Sequence, residues 1–140
     1  MRSLDRVLAR VKRNGEFYDE NTPIPLLTIP EFFEGNDVVG SIGCNLENAP
    51  HPNQIAEVLK AIKERHDVVE VYIQITEMDD PDWPFSDTAW VITTASDDEI
   101  MDCFPSNLAP DEIGKGFDSN RSYESIEIPD GNSVLSCWWD

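Results

Sequence analysis

The spacing of hydrophobic positions changes several times along the chain, and each change predicts an element. Leu4, Val7, Leu8 and Val11 recur at helical spacing, with Arg2, Arg6, Arg10 and Arg13 on the opposite side, which predicts an amphipathic helix over residues 3–13. Ser3 is placed to cap it and Asn14-Gly15 to end it. So short a helix is marginal alone, and its apolar stripe must dock on the rest of the protein. Pro23 and Pro25 then interrupt Ile24, Leu26 and Leu27, so residues 16–37 read as an extended connector over apolar surface. Within it, Pro30 to Glu34 fit one helical turn closed by Gly35-Asn36.

From Val38 the pattern is regular. Val38–Asn45 reads as a strand, with Gly40 and Gly43 marking a bulge or a close approach. Ile55, Val58, Leu59 and Ile62 form the stripe of a helix from Pro52 to Arg65, whose basic end suits its dipole. In Val68–Thr76, Val69, Val71, Ile73 and Ile75 alternate with Glu70, Tyr72 and Gln74, which predicts a strand with two distinct faces. Thr88–Thr94 reads as another strand. Ser96 and Glu99 then make a capping box for a helix that buries Ile100, Cys103 and Phe104. Pro110 starts one more helical turn through Gly114, and Pro129-Asp130-Gly131-Asn132 predicts a hairpin between Tyr123–Ile128 and Ser133–Trp139. This order predicts an α+β fold of ferredoxin-like split β-α-β arrangement: a mainly antiparallel sheet with helices on one face, an extra N-terminal helix and a C-terminal hairpin. The division is a single domain of residues 1–140, comprising an N-terminal helix (1–15), a Pro-rich connector (16–37) and an α+β core (38–140).

Charge narrows the choice of partner. The chain of 140 residues carries 28 acids against 10 bases, a net charge of -18. Five of those bases fall in residues 1–13, whereas residues 66–140 hold eighteen acids and only Lys115 and Arg121 as bases. Such a body repels phosphate backbones, which excludes nucleic acid as the expected ligand, and it speeds encounter with cationic proteins. No apolar run approaches a membrane span and no signal-peptide pattern opens the chain. Three widely spaced cysteines (Cys44, Cys103, Cys137) suit reduced thiols, so a cytoplasmic setting is expected.

The densest chemistry lies in one loop, where Glu77, Asp79, Asp80, Asp82 and Asp87 surround Trp83 and Phe85. Carboxylates around an aromatic anchor suit recognition of a basic protein. Hard cations need several oxygens at short range, which makes Asp79, Asp80 and Asp82 weak metal candidates, but the spacing is not that of a calcium loop. The bland alternative is a solvated loop with Trp83 folded over the core. Trp138 and Trp139 point to opposite faces of a strand, so one is exposed unless both faces are covered; Trp139, beside Asp140, is the candidate anchor. Gly40-Ser41-Ile42-Gly43 is neither a nucleophile elbow nor a phosphate loop. Cys44, His51 and His66 lack the spacing of a zinc site, and no catalytic motif or cofactor signature stands out.

The stretches Glu31-Phe32-Phe33-Glu34-Gly35-Asn36-Asp37, Gly40-Ser41-Ile42-Gly43-Cys44-Asn45 and Asp82-Trp83-Pro84-Phe85-Ser86-Asp87 resemble those of small uncharacterised bacterial α+β proteins over residues 28–140. The resemblance implies no activity and no catalytic residues. In size and acidity the chain is also similar to immunity proteins that neutralise bacterial toxins. The function expected is therefore a non-enzymatic acidic binding protein, an immunity-type inhibitor of a basic bacterial protein. Its partner-binding residues would be Glu77, Asp79, Asp80, Asp82, Trp83, Phe85, Asp87 and Trp139. The alternatives are a metal-dependent module or enzyme using the Glu77–Asp87 loop, and a self-associating domain that forms a homo-oligomer through its last strand.

Overall fold

The computed structural model describes residues 2–140. Its strands are β1 (Leu26–Thr28), β2 (Val68–Gln74), β3 (Thr88–Thr93), β4 (Glu112–Lys115) and β5 (Ser133–Trp138). Its helices are α1 (Ser3–Val11), α2 (Ile29–Phe33), α3 (Pro52–Lys63) and α4 (Asp97–Met101). The strands form one sheet in the order β1-β2-β3-β5-β4, with every ladder antiparallel.

The α+β class is therefore present, but the split β-α-β arrangement is not, because the expected first strand does not form. Gly40 and Gly43 lie at φ +90° and +66°, outside any strand conformation. The Ser41 N–H donates to Val38 O and the Leu46 N–H to Gly43 O, so Val38–Asn45 is a run of turns. A single parallel bridge, Ile42 to Ser86, holds it to the sheet. At Gly43 a side chain would meet Ile55 Cδ1 at 2.8 Å, so the glycine lets this turn sit against α3. The sheet's outer strand comes instead from the Pro-rich connector, where Leu26–Thr28 pairs with Tyr72–Gln74.

Two further expectations are corrected near the C-terminus. Tyr123–Ile128 is not a strand; it makes one parallel bridge, Tyr123 to Ile24, and then leaves the sheet. The arm of the C-terminal hairpin is β4, where a helical turn from Pro110 was expected. Asp111 N–H donates to Trp138 O at 2.8 Å and Gly116 N–H to Val134 O at 2.9 Å, which extends that ladder at both ends. In β2, the register shifts between Val68 and Glu70, which turns Val69 outward, while Val71, Ile73 and Ile75 keep the expected alternation and are fully buried.

All the helices pack on one face of the sheet. Val7 and Val11 of α1, Phe32 and Phe33 of α2, and Ile55, Leu59 and Ile62 of α3 join Val71, Ile73, Val91 and Leu135 in the main core. The expected docking of the N-terminal stripe is thus met, although Ser3 lies inside the helix and no side chain caps it at Arg2. Three capping boxes set the other starts: Thr28 with Glu31, His51 with Gln54, and the expected Ser96 with Glu99. A second, smaller cluster of Leu26, Trp90, Ile92 and Val134 lies on the other face, beneath Phe117, Tyr123 and Ile126.

Candidate functional site

Sheet register decides which side chains meet on this second face. Directly opposed residues of an antiparallel pair share a face. Leu26, Gln74, Thr88, Trp138 and Glu112 are successive partners across the five strands and form one row near the end of the sheet. Tyr72, Trp90, Ser136 and Gly114 form the next row. Residues 116–126 cross these rows as a strap, with Phe117 tilted against Trp90 and Tyr123 meeting it edge-on, at ring-centroid distances of 4.5 and 5.7 Å. Open clefts lie along the strap, two of them over these rows. One of about 690 Å³ lies beside Arg10, Glu31, Tyr72 and Glu124; the other, of about 460 Å³, lies beside Gln74, Thr88 and Trp138.

Charge in the first cleft is spoken for. The Arg10 guanidinium donates to both carboxylate oxygens of Glu124, at 3.1 and 2.9 Å, to Glu31 Oε2 at 2.8 Å and to Leu26 O at 3.1 Å. Glu124 also accepts from Leu26 N–H at 2.7 Å and from Asn14, so this one side chain ties α1, β1 and the strap together. Burial opposes charge on Arg10, but the hydrogen bonds and attraction of Glu124 and Glu31 prevail and push its pKa up. Burial likewise disfavours the Glu31 carboxylate, yet the Thr28 N–H and Arg10 hold its pKa below the ordinary range. These groups are fastened to one another, which suits a structural clamp.

The second cleft opens at the acidic end of the sheet. The β2–β3 loop leaves from Gln74 and returns at Thr88, while β5 ends and β4 begins in the same row, so Asp87, Glu112 and Trp138 come together. Asp87 O accepts from Trp139 N–H, and Asp111 Oδ2 accepts from Asp140 N–H at 2.6 Å, which brings the C-terminus to the same end. Asp87 is held in place, with Oδ1 accepting from Thr76 and Thr88 hydroxyls at 2.8 Å each. Asp118 and Arg121 of the strap complete the rim.

Two of the expected anchors are corrected. Trp83 is 3% exposed, and its indole N–H donates to Phe32 O at 3.1 Å inside the main core. Trp139 is 2% exposed, donates to Leu108 O at 3.0 Å and packs against Phe104. Both are core residues with satisfied indoles. The half-exposed tryptophan is Trp138, which shares its face with Val134 and Ser136. Phe85 is also half-buried and bridges back to Glu77. Glu77, Asp79, Asp80 and Asp82 are exposed. Asp79 accepts from the Tyr18 hydroxyl, and Asp80 Oδ1 accepts from Asp82 N–H at 2.7 Å. No group of three or more metal-ligating side chains assembles among the described residues, so Asp79, Asp80 and Asp82 are not drawn into a common ligand set.

The thiols and histidines are likewise dispersed. His51 Nδ1 accepts from Asn53 N–H at the start of α3, and its Nε2 faces Asp37 at 3.2 Å, so neither ring nitrogen faces Cys44. Burial pushes the Cys137 thiol up to about 12, which keeps it neutral and unreactive. Gln74, Glu112, Asp118, Arg121 and Trp138 were not singled out by sequence reasoning as partner residues. The alternation in β2 separates Gln74 and Tyr72 from the core set, but no local signal joins them to Trp138 or Glu112.

No helix among the described residues is long and apolar enough to cross a membrane. No solved structure matches the chain. It is 40% identical over 140 residues to Uncharacterized protein YfbO of Escherichia coli (strain K12), with 100% of both chains covered. The model of the Uncharacterized protein YfbO family matches residues 2–137. With similarity running along essentially its whole length, the chain belongs to that family.

Proposed function

We propose that the chain is a non-enzymatic binding protein whose acidic sheet end engages a basic protein, in a cytoplasmic setting. One observation carries this reading: among the described residues the carboxylates gathered at that end form no salt bridge, with Arg121 the one cation beside them in the cleft. Arg2, Arg6, Arg10, Arg13, Lys60, Lys63 and Arg65 pair with Asp5, Glu34, Glu31, Glu124, Glu57, Glu70, Asp67 and Glu99. None of them pairs with Glu77, Asp79, Asp80, Asp82, Asp87, Asp111, Glu112, Asp118 or Asp140 among the described residues. A field of unpaired charge beside a half-exposed tryptophan supports recognition of positive charge. Binding there would inhibit a basic partner by occlusion, as immunity-type proteins do.

The test is to recover partners on the immobilised protein, purify the pair and follow association as salt is raised. A basic partner whose association slows steeply with salt supports the reading. Partners that are neutral or acidic, or an association insensitive to salt, overturn it. A saturable response of the loop to calcium or magnesium would favour a metal-dependent module instead.

A further inference from the structure

We propose that the cleft beside Trp138 is an anchor subsite for a single arginine side chain of the basic partner; the inference rests on the reading above and names where and how that partner is gripped. Its floor carries the clue. Gln74 is only 5% exposed, and the Trp90 indole N–H donates to its Oε1 at 3.1 Å, which fixes which way the carboxamide faces. The amide nitrogen then has no hydrogen-bond partner among the described residues. It is not sealed in the protein, since every fully enclosed side-chain nitrogen and oxygen among those residues is satisfied, so it opens to the cleft that Gln74 lines. A nearly buried donor aimed into a cavity asks for an acceptor from a ligand.

The walls ask for a cation. Asp87, Glu112 and Asp118 face Arg121 as the lone cation of the lining. Asp87 Oδ1 is occupied by two hydroxyls, and Oδ2 accepts no hydrogen bond within the described chain. Trp138 is the partner of Glu112 across the ladder, so an indole stands next to a carboxylate, and Gly116 of the lining has open space where a side chain would stand. The pairing of Trp138 with Glu112 suits a planar guanidinium, which stacks on an aromatic face and bonds a carboxylate through two N–H groups, better than a compact ammonium.

Distance fits the same occupant. Gln74 and Glu112 stand three strand spacings apart, about 14 Å between backbones. The two side chains and one extended arginine span that gap, with the peptide carbonyl on the Gln74 N–H and the guanidinium between Asp87 and Glu112 against Trp138. A volume of about 460 Å³ holds one such residue.

The test uses the full chain and N-acetyl-Gly-Gly-Arg-Gly-Gly-amide, a peptide whose single charge avoids general attraction between polyelectrolytes. Nitrogen-15 NMR follows the tryptophan indole and Gln74 carboxamide signals. The arginine peptide is expected to shift Trp138 and Gln74 saturably, more tightly than its lysine counterpart, whereas a norleucine counterpart does nothing. Glu112→Gln is exposed and should leave the remaining signals unmoved while weakening binding about tenfold. Gln74→Glu still accepts from Trp90 but loses the donor, so it should weaken binding even though it adds negative charge. Tighter binding by Gln74→Glu, or no change with Glu112→Gln, overturns the subsite. If hexa-arginine binds in a salt-dependent way while Trp138 does not respond, the subsite falls and the acidic-end reading stands. If neither peptide binds, both fall.

Discussion

Glu124 and Asp80 are carboxylates of the same acidic chain, and their surroundings differ in every respect. Glu124 has a side chain 8% exposed, accepts from Arg10, Asn14 and the Leu26 backbone, and pins the strap across the second face of the sheet. Asp80 is exposed, caps only its own loop through Asp82 N–H, and forms no salt bridge among the described residues. Opposite charges at short range repay desolvation only with good geometry and further hydrogen bonds. Glu124 has both, so its negative charge serves the fold. The carboxylates of the loop end form no salt bridge among the described residues and stay hydrated.

The largest expected effect comes from breaking the buried side of this comparison. Glu124→Ala leaves the Arg10 guanidinium, with a side chain 11% exposed, holding only Glu31 and one carbonyl. Urea unfolding should then show a loss of about 3–5 kcal/mol. A loss below about 1 kcal/mol would mean that the strap is held by its backbone bridge to Ile24 and by the packing of Phe117 and Tyr123. Next in size is Thr28→Ala, which removes the hydroxyl accepting from Glu31 N–H at the start of α2 and should cost about 1 kcal/mol.

Acid titration sharpens the same contrast. The native pKa of Glu31 lies below its ordinary value of 4.5, so its contribution is complete above that value and is lost as pH falls through the lower native one. Unfolding at about pH 6 and about pH 3 should show lower stability at the acid end. A protein equally stable at both would place Glu31 outside the clamp. The smallest effect belongs to the exposed side: Asp80→Asn should change stability by less than about 0.5 kcal/mol. It should still slow association with a basic partner, measurable by stopped flow at low salt.

The elements that were legible in the sequence are those whose signal is local. The stripe of α3, the Ser96–Glu99 box and the alternation after Val71 each depend on residues a turn or a pleat apart. β1 was hidden because Pro23 and Pro25 signal a break, yet Leu26–Thr28 follows them and sits at the sheet edge, where missing N–H groups are tolerated. β4 was hidden because Pro110 and Gly114 look like turn residues, while its pairing with β5 spans the strap. The acidic loop was legible as composition. The burial of Trp83 under α2 and of Trp139 beneath Leu108 was not, because each indole's partner lies far away along the chain.

By itself the sequence determined the strong negative charge, the α+β alternation and the apolar stripe that commits the N-terminal helix to the core. Tertiary structure alone decided which tryptophan meets water and which carboxylates form no salt bridge. The physical reason is range: helical and strand periodicity are set by neighbours within a few residues. The Gln74–Thr88–Trp138–Glu112 row and the Arg10–Glu124 clamp join residues from distant stretches, and only sheet register and the crossing strap bring those together.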